Sequence, residues 1–369
     1  MTRSHLTVIV LLALLISGCI SGASESEPEY TQSGLLPENF HRVIDGDTTA
    51  LYTLTNSDGM EVCITNYGAH IVSIMVPGRD DVMRDVVLGM DSIGAYQNSG
   101  GGEIGAVMGR YGGLMRHRPS AKSNEWMHRV YKVAKATGNE LTLNLIADSA
   151  SDGMPGNAAV QLDYRLTDEN TLELIITAIS DAVTPIDIAQ RLYFNLDGTT
   201  GEKMTDIGSH LLTMKTDQYL VRDSLRDYPG DMLMTIWTPF GFQKERKLSR
   251  TLNADFHQVK RMDGIDGYFV MSGYGEELAE MLTLYSPESG IELTVSTSFP
   301  GTDIYTANRF DGTLHGKNNM SYGRRCAIAI TPHYYPYAND MPGWGMDATL
   351  SPGQVMSEKV TYRFSIRNE

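Results

Sequence analysis

From about Val43 onward, apolar and polar residues alternate with a period of two. Gln161-Leu-Asp-Tyr-Arg-Leu-Thr167 alternates cleanly, and Thr171-Leu-Glu-Leu-Ile-Ile-Thr177 follows after Asp168-Glu-Asn170. Together these predict an antiparallel hairpin with one apolar face that must pack on something. The same alternation recurs in Leu141-Thr-Leu-Asn-Leu145, in Ile291-Glu-Leu-Thr-Val295 and in Lys359-Val-Thr-Tyr-Arg-Phe-Ser-Ile366. Turn residues punctuate the runs at Ser57-Asp-Gly59, Ser151-Asp-Gly153, Pro155-Gly-Asn157 and Pro287-Glu-Ser-Gly290. No long stretch carries a helical period, and no repeat recurs at 20–50 residues. Many short strands without alternating helices predict an all-β domain over 43–369, a single large antiparallel β-sandwich.

The start of the chain has a different pattern. Arg3 precedes a nearly unbroken apolar run over 6–16, ending in Leu15-Ile-Ser-Gly-Cys19. That is too short for a membrane span and has the charged start and apolar middle of a secretory signal. The small residues before Cys19 resemble a prokaryotic lipobox, which implies a signal peptide over 1–19 and lipidation of Cys19. Residues 20–42, rich in Ser, Gly, Glu and Pro at their start, are expected to be a flexible tether. The expected location is extracytoplasmic in the cell envelope, with the membrane reached only through the lipid anchor.

Composition narrows the partners. A formal net charge of -15 argues against nucleic acid, because phosphate binding needs a basic face. Cys63 and Cys326 each lie in an apolar run, which suits buried free thiols or one bridge. No His pair has the spacing of a zinc site.

Chemistry concentrates in Thr184-Pro-Ile-Asp-Ile-Ala-Gln-Arg-Leu-Tyr-Phe-Asn-Leu-Asp-Gly198, which reads as a buried strand entering a turn. A charged Arg191 inside such a run is costly unless it is paired or faces a polar cleft. The stretch resembles a segment of aldose 1-epimerases (galactose mutarotases) that usually reads Thr-Pro-Val-Asn-Leu-Thr-Asn-His-Ser-Tyr-Phe-Asn-Leu-x-Gly. The likeness extends through Tyr52–Ala69, with its Asn66-Tyr-Gly-Ala69 turn, and through Asp85-Val-Val-Leu-Gly-Met-Asp91 and Gly105-Ala-Val-Met-Gly-Arg-Tyr111. It continues in order through Pro155-Gly-Asn157, Thr238-Pro-Phe240, Ser286–Gly290, Tyr305–Gly312, His333-Tyr-Tyr-Pro336 and Leu350-Ser-Pro-Gly353. The resemblance implies a galactose mutarotase-like supersandwich acting as an isomerase on a small carbohydrate. The family reaction interconverts α and β anomers of aldoses without a cofactor or metal. One group takes the proton of the anomeric hydroxyl and another delivers one to the ring oxygen.

The resemblance also locates departures. Arg191 stands where the family has its catalytic acid His, and Ile330, in Ala327-Ile-Ala-Ile-Thr-Pro-His333, where it has its base Glu. Leu114 replaces a sugar-binding Arg, whereas Arg110 matches and is a substrate-binding candidate. His117 is the candidate remnant of a His-bearing segment. Gly264-Ile-Asp-Gly-Tyr-Phe269 matches the family's Gly-Tyr-Asp-His-x-Phe, so Asp266 is expected to keep a carboxylate for a sugar hydroxyl. Asp266 and His333 are therefore the catalytic candidates. His333 is expected on the strand face opposite Ile330 unless Pro332 bends the chain. Asp303 borders the implied cleft and joins Arg110, Arg191 and His117 as a binding candidate. Arg191 either receives an acidic sugar's carboxylate or pairs with Asp187 or Asp266. Tyr334, Tyr335, Tyr337 and Trp344 offer rings for a sugar face or for packing. Three roles remain open: a divergent epimerase, a non-catalytic sugar binder and an envelope scaffold.

Overall fold

The predicted hairpin is the centre of a nine-stranded antiparallel sheet. Ala158–Leu166 pairs with Thr171–Ser180, placing Leu166 opposite Leu172 and Leu162 opposite Ile176. Both strands alternate buried and more open positions, so one face is turned to the core. The sheet runs in the order Arg246–Lys247, Leu211–Met214, Ala279–Tyr285, Ile291–Thr297, Met356–Ile366, Thr171–Ser180, Ala158–Leu166, Glu140–Ala147 and Lys132–Ala136. The alternating runs named above all fall within it. The computed structural model describes residues 29–110, 124–198, 204–274, 277–344 and 346–367.

A six-stranded antiparallel sheet packs across it, in the order Leu192–Phe194, Ile328–His333, Gly301–Tyr305, Asp266–Met271, Thr216–Leu220 and Met232–Met234. A four-stranded sheet, Leu51–Thr55, Glu61–Thr65, Ile71–Pro77 and Met83–Asp85, completes the layers. One apolar cluster draws on all three: Leu162, Ile176 and Tyr362 from the first, Phe194, Ile304 and Ile330 from the second, Ile64 and Ile74 from the third. Phe194 meets Tyr362 at 5.8 Å between ring centroids, joining the two larger sheets. Each such buried side chain contributes about 1.5–3 kcal/mol of transfer free energy. Among the described residues the α-helices are short, Ile93–Asn98 and His257–Met262 being examples.

Two sequence expectations change. The run through Arg191 is not one strand but three pieces, Thr184–Pro185, Ala189–Gln190 and Leu192–Phe194, each in a different sheet. The polar residues inside it explain the breaks. Gln190 donates to the carbonyls of Ala69 and Gly105, and the Asp187 amide donates to the Arg110 carbonyl, so the chain bonds sideways to loops before joining a ladder. The packed domain also begins before residue 43. Leu35 and Phe40 are buried, Pro37–Phe40 forms a 3-10 turn, and the Gln32 amide donates to Glu61. Apolar side chains at 35 and 40 make this stretch part of the core rather than a tether. Cys63 and Cys326 are buried free thiols. Cys19 and His117 lie outside the described residues.

Candidate active-site cleft

Strand register decides which side chains share a face. Directly paired residues of antiparallel strands point the same way, and the face alternates along each strand. Tyr193, Ala329, Tyr305 and Asp266 form one cross-strand row. Thr331, Asp303 and Tyr268 form the next, and His333, Gly301 and Val270 the third. The intervening row, Leu192, Ile330 and Ile304, contributes its isoleucines and leucine to the core. One face of the six-stranded sheet thus joins the main core, and the other sets its charged and hydroxyl groups among the buried side chains of Tyr193, Tyr305, Ala329, Tyr268 and Val270. Gly301 is required where the outer rows crowd, because a Cβ there would lie 2.3 Å from the Phe269 carbonyl oxygen and 2.7 Å from the Tyr268 hydroxyl. That hydroxyl crosses the gap and donates to the His333 carbonyl at 2.7 Å.

His333 stands between two carboxylates. Its Nδ1 is 2.9 Å from Asp187 Oδ2 and its Nε2 is 3.3 Å from Asp303 Oδ2. Burial by itself would lower the imidazole's pKa. Asp187 and Asp303 outweigh that and hold it up at about 9. Burial would likewise raise Asp303, but the hydrogen bond and charge of His333, with Arg222 and Arg191 nearby, keep its carboxyl well below the usual carboxylate range. At neutral pH the group is therefore an imidazolium clamped by two carboxylates. The Tyr228 hydroxyl donates to Asp303 Oδ1 at 3.0 Å, and the Tyr334 amide donates to Asp187 Oδ1 at 3.1 Å.

Beyond Asp303 lies a second charged set. Arg222 Nη2 is 3.4 Å from Asp266 Oδ1 and 3.8 Å from Asp303 Oδ1, and Arg309 Nη1 donates to Asp266 Oδ2 at 2.9 Å. The Arg222 guanidinium lies over the Tyr228 ring at 4.2 Å. Arg191 directly precedes the edge strand Leu192–Phe194. Its Nε donates to the Tyr193 hydroxyl at 3.1 Å, and its guanidinium faces the rings of Tyr193 and Tyr305 at 5.5 and 6.0 Å. Two buried polar atoms here have no hydrogen-bond partner among the described residues, Thr331 Oγ1 and Arg222 Nε.

The structure therefore gathers Asp266, His333 and Asp303 on one face of one sheet, with Arg191 immediately before its edge strand Leu192–Phe194. It does not bring Arg110 there. Arg110 is fully buried, with Nε 2.8 Å from Asp152 Oδ2, Nη1 donating to the carbonyls of Pro155 and Gly156 and to Thr184 Oγ1, and Nη2 donating to the Ala147 carbonyl. Its guanidinium is buried and ties loops together, away from the charged cluster. Ile330 points into the core, and the residue of its strand that faces Asp303 is Thr331, a hydroxyl. His333, predicted on the opposite face from Ile330, is there without any need for Pro332 to bend the strand.

Several members of the cluster carried no sequence signal. Arg222, Tyr228 and Glu103 sit in unremarkable loop sequence, whereas Arg309 lies inside the Tyr305–Gly312 motif and Asp187 four residues before Arg191. Asp187 pairs with His333 and Asp266 with Arg222 and Arg309, so neither serves Arg191. Of the C-terminal rings, Tyr335 meets Tyr268 at 5.4 Å and Tyr337 meets Tyr228 at 5.9 Å, forming a wall behind the charged row. Among the described residues no three metal-ligating side chains gather as a metal would require.

The arrangement presents fixed charges and hydroxyls, a good set for holding a polyol. It is a poor set for moving protons. Arg191 remains protonated at any ordinary pH. Both His333 nitrogens are engaged, and Asp303 is too weak a base to compete at neutral pH.

Comparison with known proteins agrees with the fold. The family described as aldose 1-epimerase matches residues 50–116 and 120–363. The aldose 1-epimerase of Escherichia coli K12 is 27% identical over 342 residues, 87% of this chain and 96% of that protein. Human galactose mutarotase is 28% identical over 338 residues, 87% of this chain and 95% of that protein. Among solved structures, the GalM/aldose epimerase homologue from C. elegans superposes with a TM-score of 0.77 at 22% identity, covering 87% of this chain and all of that one. Galactose 1-epimerase from Lactobacillus acidophilus gives 0.73 at 24% identity, covering 89% and 98%. The antiparallel sheets, the ordered motifs and a match over most of its length together make this chain a member of the aldose 1-epimerase family.

Proposed function

We propose that the outer face of the six-stranded sheet binds an aldose and does not greatly accelerate its anomerisation. The family acts on small-molecule sugars, and the polar rows retain what sugar recognition needs. Asp266 and Asp303 offer carboxylate acceptors, Arg222 is a donor, Thr331 brings a hydroxyl with no partner among the described residues, and Tyr305 stands beside them with its ring. The observation that carries the reading is Arg191. In the position that the resemblance gives to the acid, it holds a group without a transferable proton. Loss of an acid and a base removes two effects of about 10²–10⁴ each in rate. A non-catalytic recognition role follows from the same geometry.

Calorimetric titration with a panel of hexoses and pentoses tests this. At least one aldose binds, and Thr331→Val weakens that binding without lowering the thermal midpoint. A panel with no binder refutes the reading. We further propose that Cys19 is lipidated and the domain sits outside the cytoplasm in the cell envelope, as the Leu15-Ile-Ser-Gly-Cys19 pattern supports. Mass spectrometry of the mature N-terminus checks it: a diacylglyceryl-modified Cys19 is expected, and an unmodified or uncleaved start contradicts it.

A further inference from the structure

Arg191 is the least compensated cation of the cleft. Arg222 and Arg309 share Asp266, Arg222 also reaches Asp303, and His333 has a carboxylate on each nitrogen. Among the described residues Arg191 has one carboxylate at ion-pair distance, that of Glu103, 3.9 Å from Nε on a side chain 43% exposed, with the charge of Asp303 acting from further off. Its Nε is used by the Tyr193 hydroxyl, which in turn donates to Glu103 at 3.3 Å. The two terminal nitrogens have no hydrogen-bond partner among the described residues. Yet the side chain is only 19% exposed and lies against two aromatic rings, a setting in which a charge-assisted bond is strengthened by partial exclusion of water.

Resting on the sugar-binding reading above, we propose that the preferred ligand is a hexuronate, whose carboxylate accepts hydrogen bonds from the two Nη groups of Arg191 in a parallel fork. A guanidinium end matches a planar carboxylate in spacing and plane. A phosphate dianion would need a second cation, and those within the cleft are committed to Asp266, Asp303 and Asp187. The sugar ring then lies toward Tyr305, with hydroxyls directed at Asp303, Thr331 and Asp266 in the adjacent rows. Glu103 competes with the ligand for Arg191 and sets how tightly it binds.

Calorimetry on the intact domain, with glucuronate, galacturonate, their neutral parent hexoses and the hexose 6-phosphates, decides the matter. At least one uronate binds roughly 10- to 100-fold more tightly than its parent, as a charge-assisted bidentate pair implies. This preference shrinks at high salt, disappears in Arg191→Gln and increases in Glu103→Gln. A 6-phosphate that binds as tightly as the uronate overturns the carboxylate assignment. Equal affinity for uronate and parent overturns the inference but leaves the sugar reading standing. Binding by no sugar removes both. Should Arg191→Gln fail to fold, the wild-type preference, its salt dependence and the Glu103→Gln response still decide the outcome.

Discussion

Arg110 is the residue at which a structural and a substrate-binding role make opposite predictions. Its side chain and that of Asp152 are 0% and 2% exposed, their ion pair measures 2.8 Å, and the remaining guanidinium donors reach four acceptors at 2.9–3.2 Å. Truncation in Arg110→Met leaves a buried carboxylate without a counter-charge and orphans several carbonyls. Removing one partner of a buried pair costs about 3–5 kcal/mol. Each orphaned acceptor is worth about 1–3 kcal/mol alone, but the penalties overlap, so the sum is not the expectation. The predicted loss is about 4 kcal/mol. With a urea m-value of about 3 kcal/mol/M, the unfolding midpoint falls by roughly 1.3 M. Arg110→Lys keeps the charge but supplies one nitrogen where the native group supplies three, and recovers less than half of the loss. Replacing both residues, Arg110→Met with Asp152→Leu, is less damaging than Arg110→Met alone. Urea unfolding followed by circular dichroism measures all three. A stable Arg110→Met protein with weakened sugar binding would refute the reasoning and return Arg110 to the binding site.

The clamped imidazolium gives a pH signature. His333 is held at about 9, above its ordinary value of about 6.5, so its contribution is complete below pH 6.5 and is lost as pH rises through 9. Wild-type stability therefore drops by up to about 3 kcal/mol between pH 6 and pH 10. His333→Gln is less stable at pH 6 and lacks that part of the decline; parallel pH profiles for the two proteins would contradict the clamp. Burial pushes the thiols of both Cys63 and Cys326 up to about 12. Neither reacts appreciably with a disulfide reagent at pH 8 until urea unfolds the chain, and rapid labelling of the native protein would show that one of them is accessible.

How much of this was legible beforehand follows from where each signal resides. The hairpin at 161–177 was readable because alternation is a local property that the final sheet preserves. The broken course of 184–198 was not, since it depends on Gln190 and Asp187 meeting the Ala69, Gly105 and Arg110 loops far away in sequence. Arg191, Asp266, Asp303 and His333 were found because the family resemblance names them or their neighbours. The same likeness misplaced Arg110, because a motif match carries no information on which way a side chain points. Arg222 and Tyr228 entered only through folding, on the connection between Thr216–Leu220 and Met232–Met234.

The central claim is binding without fast anomerisation, and mutarotation of freshly dissolved α-sugars in the presence of the domain tests it most directly. Optical rotation is followed for glucose, galactose and the two uronates at pH 7, with calorimetric binding measured on the same samples. The account predicts a bound sugar whose approach to anomeric equilibrium stays within a few-fold of the spontaneous rate. A protein-dependent acceleration of 10²-fold or more for any of them would mean that a working acid and base exist in the cleft, and would contradict it.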